Sequence, residues 1–138
     1  MTQEILMPVL VLVCWTLVMW VWMYVTRIPA MQKAGLDAAK LTEKRELDVL
    51  PRSVRQVADN YNHLHEQPVI FYALVFFVAL SGTATATDVG LAWAYVGLRI
   101  AHSLYQALVN FVPVRFALFT LATIPLIVLA VRAALASL

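Results

Sequence analysis

NYNHLHEQPVIFY, residues 60–72, packs two Asn, two His and one Glu into seven residues and then turns apolar through Leu80. Such hydrogen-bonding capacity at the mouth of a hydrophobic span fits loop chemistry, a metal site or a buried ligand site. The rest of the chain decides among them.

Of 138 residues, 62% are hydrophobic and 13% charged, and the mean hydropathy is +0.80. Soluble domains carry roughly 25% charged residues, so this composition points to one membrane domain over residues 1–138. A net charge of +2, with no basic patch interleaved with aromatics, argues against nucleic acid as a partner. The single cysteine, Cys14, cannot form an internal disulfide or a Cys-based metal cage. It sits in an apolar run and reads as a small hydrophobe.

A bilayer core needs roughly 20 apolar residues in a helix. Residues 5–25 meet this without a charge. No basic segment precedes them, so they read as a retained span and not a cleaved signal. A second span is expected over 66–85, a third over 90–112 and a fourth over 114–135, the last with a kink at Pro125. Pro68 either opens the second helix or kinks a longer one that begins inside the polar segment. The expected fold is therefore all-α, a polytopic membrane four-helix bundle with a long loop over 27–54 and a short helix over 41–50. Seven of the ten Lys and Arg residues (Arg27, Lys33, Lys40, Lys44, Arg45, Arg52, Arg55) fall between the first two spans. Arg115 falls between the last two, and none falls between the second and third. By the positive-inside rule the long loop is cytoplasmic and both termini lie outside. Its basic residues also favour anionic headgroups.

Polar residues inside spans are costly and mark function or pairing. In the third span Tyr95, Arg99, His102, Gln106 and Asn110 recur at steps of four, three, four and four, which puts them on one helical face. Ser103 and Tyr105 flank that face. If 55–66 is helical, Arg55, Asp59, Asn62 and Glu66 form a second stripe, expected to run down into the bundle with Glu66 reaching toward Arg99. His63 and His65 lie two residues apart, so their rings diverge by roughly 200° on a helix, and no metal is expected. Two such stripes suit either helix registration or a site for a small anionic molecule, because arginine matches carboxylate geometry.

GLRIAHSLYQ, residues 97–106, with Arg115 sixteen positions after Arg99, resembles the MAPEG family, membrane-associated proteins in eicosanoid and glutathione metabolism. The R-x-x-H-[ST] pattern and the later Arg are shared with its members. EQPVIFYALVFF, residues 66–77, resembles bacterial ones, and the likeness covers nearly the whole chain. The resemblance implies a homotrimer in a bacterial inner membrane, with glutathione held between subunits toward the cytoplasmic side. It also implies that Arg55, Asn62, Glu66, Arg99, His102 and Ser103 hold the tripeptide, and that Arg115 stabilises its thiolate. The pattern departs in places. Where relatives carry Asn and Arg, three and seven residues before the Glu, this chain has His63 and Asp59. The usual tyrosine after the His-Ser pair is Gln106 here, with Tyr105 one position earlier, about 100° around the helix.

The function so implied is a glutathione transferase or peroxidase acting on lipophilic electrophiles from the bilayer. The alternative is a non-catalytic module that binds a lipid or a partner protein between subunits. No ring of acidic residues supports a channel.

Overall fold

The computed structural model describes residues 1–138. The chain is helical without strands: α1 (Thr2–Lys33), α2 (Arg52–His63), α3 (Gln67–Ser81), α4 (Ala86–Leu108) and α5 (Val112–Ala136). Three stretches are long and apolar enough to cross a membrane: α1, the α2–α3 path from Arg52 to Ser81, and α5. The 23 residues of α4 reach about 34 Å at 1.5 Å each, enough for a bilayer core, but its polar stripe lowers its hydropathy. α4 packs on α5, α1 and α2; α1 also packs on α2 and α3.

The surface is inverted relative to a soluble protein. Leu10, Leu17, Val18, Trp20, Val21, Phe76, Phe77, Leu80, Ile124 and Ile127 are exposed. Gln56, Asn60, Arg99, His102, Ser103 and Gln106 are buried. An apolar exterior this continuous is stable only against lipid. The polar groups inside are the ones that would cost most if they faced it. Phe71, Val75 and Val78 of α3 and Ala92, Tyr95 and Val96 of α4 supply much of the apolar core.

The first helix outruns the expected span. It continues past Tyr24 to Lys33, about 13 Å further at 1.5 Å per residue. The first connection is thus shorter than the expected 27–54, and the short helix expected over 41–50 is a 3₁₀ segment, Lys44–Val49. The second helix does begin within the polar segment, and it breaks. α2 ends at His63, and α3 starts at Gln67 with Pro68 in its first turn. Pro68 has no N–H to give the Leu64 carbonyl, and its ring crowds that carbonyl. Glu66, at φ −98° and ψ −94°, takes up the bend, and the His65 Nδ1 caps the Tyr61 carbonyl at 2.9 Å. By contrast α5 runs through Pro125 as helix.

At the end remote from the 34–51 connection, Gly82 closes α3 at φ 71°, a left-handed position that glycine fills at little cost. Thr85 and Asp88 form a capping box on α4. Arg132 of α5 closes it: its Nε donates to Asp88 Oδ1 at 2.6 Å and its Nη2 to Thr85 Oγ1 at 3.0 Å. Asp88 stands ahead of the expected third span, outside the apolar run. Burial pushes its carboxyl up, but the hydrogen bonds from Arg132 and Thr85 outweigh burial and hold it below the ordinary carboxylate range.

Candidate functional site

The polar core begins at Ser103. Its Oγ accepts from Trp15 Nε1 at 2.8 Å and from Asn60 Nδ2 at 2.6 Å, tying α1, α2 and α4 together. One turn toward the loop end, Gln56 Nε2 donates to the Ala107 carbonyl at 2.8 Å. About two turns the other way, Tyr95 donates to Gln67 Oε1 at 3.1 Å, and Gln67 Nε2 donates to Thr123 Oγ1 at 2.9 Å. Each bond crosses between helices, so the stripe on α4 is the chain's internal seam.

Arg99 sits in the middle of that seam with 0% exposure. Its Nη2 lies 3.0 Å from His63 Nδ1, and its Cζ is 5.5 Å from the centre of the Phe119 ring. Its Nε and Nη1 are buried without a partner. The ion pairs in the chain are Met1–Glu4, Arg45–Glu43 and Arg132–Asp88, so no carboxylate lies within ion-pair distance of Arg99. The His63 and His102 rings stack, with centroids 5.1 Å apart and planes 22° apart. Beside them a cavity of about 180 Å³ is lined by His63, His102, Val112, Arg115, Phe116 and Phe119. Arg115 reaches it from the first turn of α5, steadied by a 2.8 Å bond from Nη1 to Asn110 Oδ1. Asn110 takes φ 57° at the end of α4, a conformation that Asn tolerates better than most residues. Its carbonyl accepts from Arg52 Nη2 at 3.0 Å.

A larger groove of about 460 Å³ runs between the end of α1 and the start of α2, but Lys33 is its only charged lining residue. Buried His102 and half-buried His63 and Arg115 converge at the smaller cavity, which is the better candidate.

The predicted residues separate into two groups. Arg99, His102, Ser103 and Gln106 lie together on the buried face of α4, as the spacing implies, and Arg115 joins His102 at the cavity. Tyr105 is half-buried beside that face. Arg55, Asp59, Asn62 and Glu66 are exposed, and no Glu66–Arg99 pair forms. This corrects the expectation that their stripe runs into the chain's interior. The helix instead buries Gln56, Val57, Asn60 and Leu64 and turns its charged edge outward, the cheaper arrangement for charge. Arg55 Nε bonds the Leu50 carbonyl at 3.0 Å and secures the first connection. Asn60, Gln56 and Trp15 are the polar participants that the stripe does not include, and His63, beside the stripe, is the α2 residue that reaches Arg99. The spacing of Val57 and Leu64, which lie on one face with Asn60, carried the signal for Asn60.

Apolar helices around an internal cationic site define an integral membrane protein with a polar pocket sunk between its helices. The MAPEG family model matches residues 5–135, and the chain belongs to that family. Neither a curated protein nor a solved structure matches it.

Proposed function

We propose that the protein binds glutathione at the His63–His102–Arg115 cavity and uses its thiolate against lipophilic electrophiles or lipid hydroperoxides entering from the bilayer. The observation that carries this reading is Arg99, which stands behind His63 of the cavity wall: a fully buried guanidinium with two unpartnered N–H-bearing nitrogens and no carboxylate within ion-pair distance. A buried charge in that state calls for an anion. Arg115 has further N–H groups beyond the one given to Asn110, and its charge at the cavity favours the thiolate form of a nearby thiol. The thiolate is the nucleophile. With an alkylating electrophile a C–S bond forms and the leaving group departs with the electron pair. With a hydroperoxide the sulfur takes the distal oxygen, and the alkoxide leaves as alcohol after protonation.

We further propose a homotrimer with the loop side cytoplasmic. The outward stripe of Arg55, Asp59, Asn62 and Glu66 supports it, since a neighbouring subunit against α2 would shield these charges and bring them toward the shared site. The test is glutathione titration of the protein in mild detergent, read by thiolate absorbance at neutral pH, with Arg115→Ala alongside. A saturable signal lost in the variant is expected. No signal at millimolar glutathione would sink the proposal.

One observation favours the second reading, a non-catalytic lipid- or partner-binding module. Ser103 is already engaged by Trp15 and Asn60, so one residue that the family likeness assigns to the tripeptide is spent on the fold. That reading expects Arg115→Ala to leave ligand binding unchanged.

A further inference from the structure

His63 stands where family relatives carry Asn, and the structure gives it a defined chemical state. Arginine has N–H donors and no acceptor. The 3.0 Å contact from Arg99 Nη2 to His63 Nδ1 is therefore a hydrogen bond only if Nδ1 offers its lone pair. The ring must then be neutral and carry its proton on Nε2. Stacking of His63 on His102 beside Arg99 fits uncharged rings, since a third cation in that cluster would be repelled. Two residues on, the logic reverses. His65 Nδ1 lies 2.9 Å from the Tyr61 carbonyl. A carbonyl only accepts, so His65 must carry its proton on Nδ1.

We infer that Arg99 locks His63 as the Nε2–H tautomer, and that His63 presents this N–H as a hydrogen-bond donor to the anion held in the cavity. His63 lines that cavity, and its Nε2 has no partner in the chain and is not fully buried. In this state His63 cannot act as a base: its one lone pair is committed to Arg99. Arg99 thus acts on the cavity through His63 as a positioning residue, in addition to its own charge. The tautomer rests on geometry alone. The role toward a thiolate or carboxylate rests on the proposed glutathione reading.

The experiment uses the full chain in detergent, labelled with ¹⁵N at histidine, and long-range proton–nitrogen spectra. The chain has three histidines, and His65→Gln on the exposed edge assigns one of them directly. Spectra are taken at about pH 8, above the ordinary histidine value of about 6.5. His63 is expected as Nε2–H and His65 as Nδ1–H, opposite tautomers in one spectrum. A His63 found as Nδ1–H or as imidazolium overturns the inference without reference to any ligand. Glutathione is then titrated. Saturable movement of the His63 Nε2–H supports the donor role. Movement at His102 with His63 unmoved overturns it. A silent titration refutes the glutathione reading and the donor role together, leaving the tautomer to the ligand-free spectrum.

Two variants separate position from bulk. In His63→Gln the amide nitrogen reaches the Nε2 place, whereas in His63→Asn the amide ends near Nδ1. Glutathione affinity is expected within about threefold of the parent for the first and about ten- to a hundredfold weaker for the second, the usual effect of losing a donor to a charged group. The reverse order overturns the inference.

Discussion

Replacing Arg99 with methionine makes the role of the buried charge measurable. Two of its nitrogens, Nε and Nη1, are buried and unpartnered, each at a cost of about 1–3 kcal/mol. Desolvation of the charge itself adds several kcal/mol against the fold. On the other side stand one hydrogen bond to His63 at 3.0 Å and the contact with Phe119 at 5.5 Å, about 1 kcal/mol each. Methionine has a similar reach, fills irregular space well, and leaves one half-buried ring nitrogen on His63 without its donor, about 1 kcal/mol more. The balance is a stabilisation of at least about 2 kcal/mol, a rise of a few degrees or more in melting temperature for a chain this size. Thermal unfolding in detergent, followed by helical circular dichroism with and without glutathione, gives both halves of the test. Without ligand Arg99→Met should melt higher than the parent. With saturating glutathione the parent should gain by mass action, about 2.7 kcal/mol at a hundred times Kd, and the variant should not. A lower melting point for the ligand-free variant would refute the reasoning. It would mean that Arg99 is already neutralised, for example by Glu66 of a neighbouring copy, and the argument for a bound anion would fall.

Ser103→Ala removes the acceptor for both Trp15 and Asn60 and should cost about 1–3 kcal/mol, seen as a lower melting temperature and altered tryptophan emission, with the glutathione thiolate signal retained in whatever remains folded. Asn110→Gly preserves the left-handed turn and Asn110→Ala strains it, so the alanine variant should be less stable by about 1 kcal/mol. Both free Arg115 and should lower the thiolate signal alike; an unchanged signal in both would show that Arg115 needs no anchor. The Asp88 carboxyl is held below its ordinary value, so the stability it lends is complete above that value, near pH 4, and is lost as pH falls through the depressed folded one. Asp88→Asn should flatten that acid limb of the melting-temperature profile, and a variant with the same acid dependence as the parent would remove Asp88 from the account.

The apolar runs made the membrane class legible, because spans of this length and composition have few alternatives. The buried face of α4 was legible for the same reason: Arg99, His102 and Gln106 recur at helical spacing among apolar neighbours, and lipid leaves such residues one direction to face. The orientation of α2 was not. Its residues Arg55, Asp59, Asn62 and Glu66 recur just as regularly, but near the membrane boundary a charged stripe can be satisfied by water, headgroups or a neighbouring subunit. Periodicity alone does not choose the side. Packing chose it, by burying Val57 and Leu64 and carrying Asn60 and Gln56 inward with them. The break at residues 64–66 was half legible. Proline marks a discontinuity, but where the backbone bends depends on which carbonyl it deprives and which side chain, here His65, takes over.

Those same contacts divide the molecule mechanically. The α4–α5 hairpin is pinned at one end by Arg132 against Asp88 and Thr85, and at the other by Arg115 on Asn110. These bonds tie its two helices together at both ends, and the hairpin carries His102 and Arg115. The opposite wall, His63, hangs on the short α2 just ahead of the proline break. Opening the cavity requires no sliding of whole spans through lipid. A swing of α2 about residues 64–66 would do it by releasing the bonds from Gln56 to Ala107 and from Asn60 to Ser103, and amide exchange faster there than anywhere along α4 would be its trace.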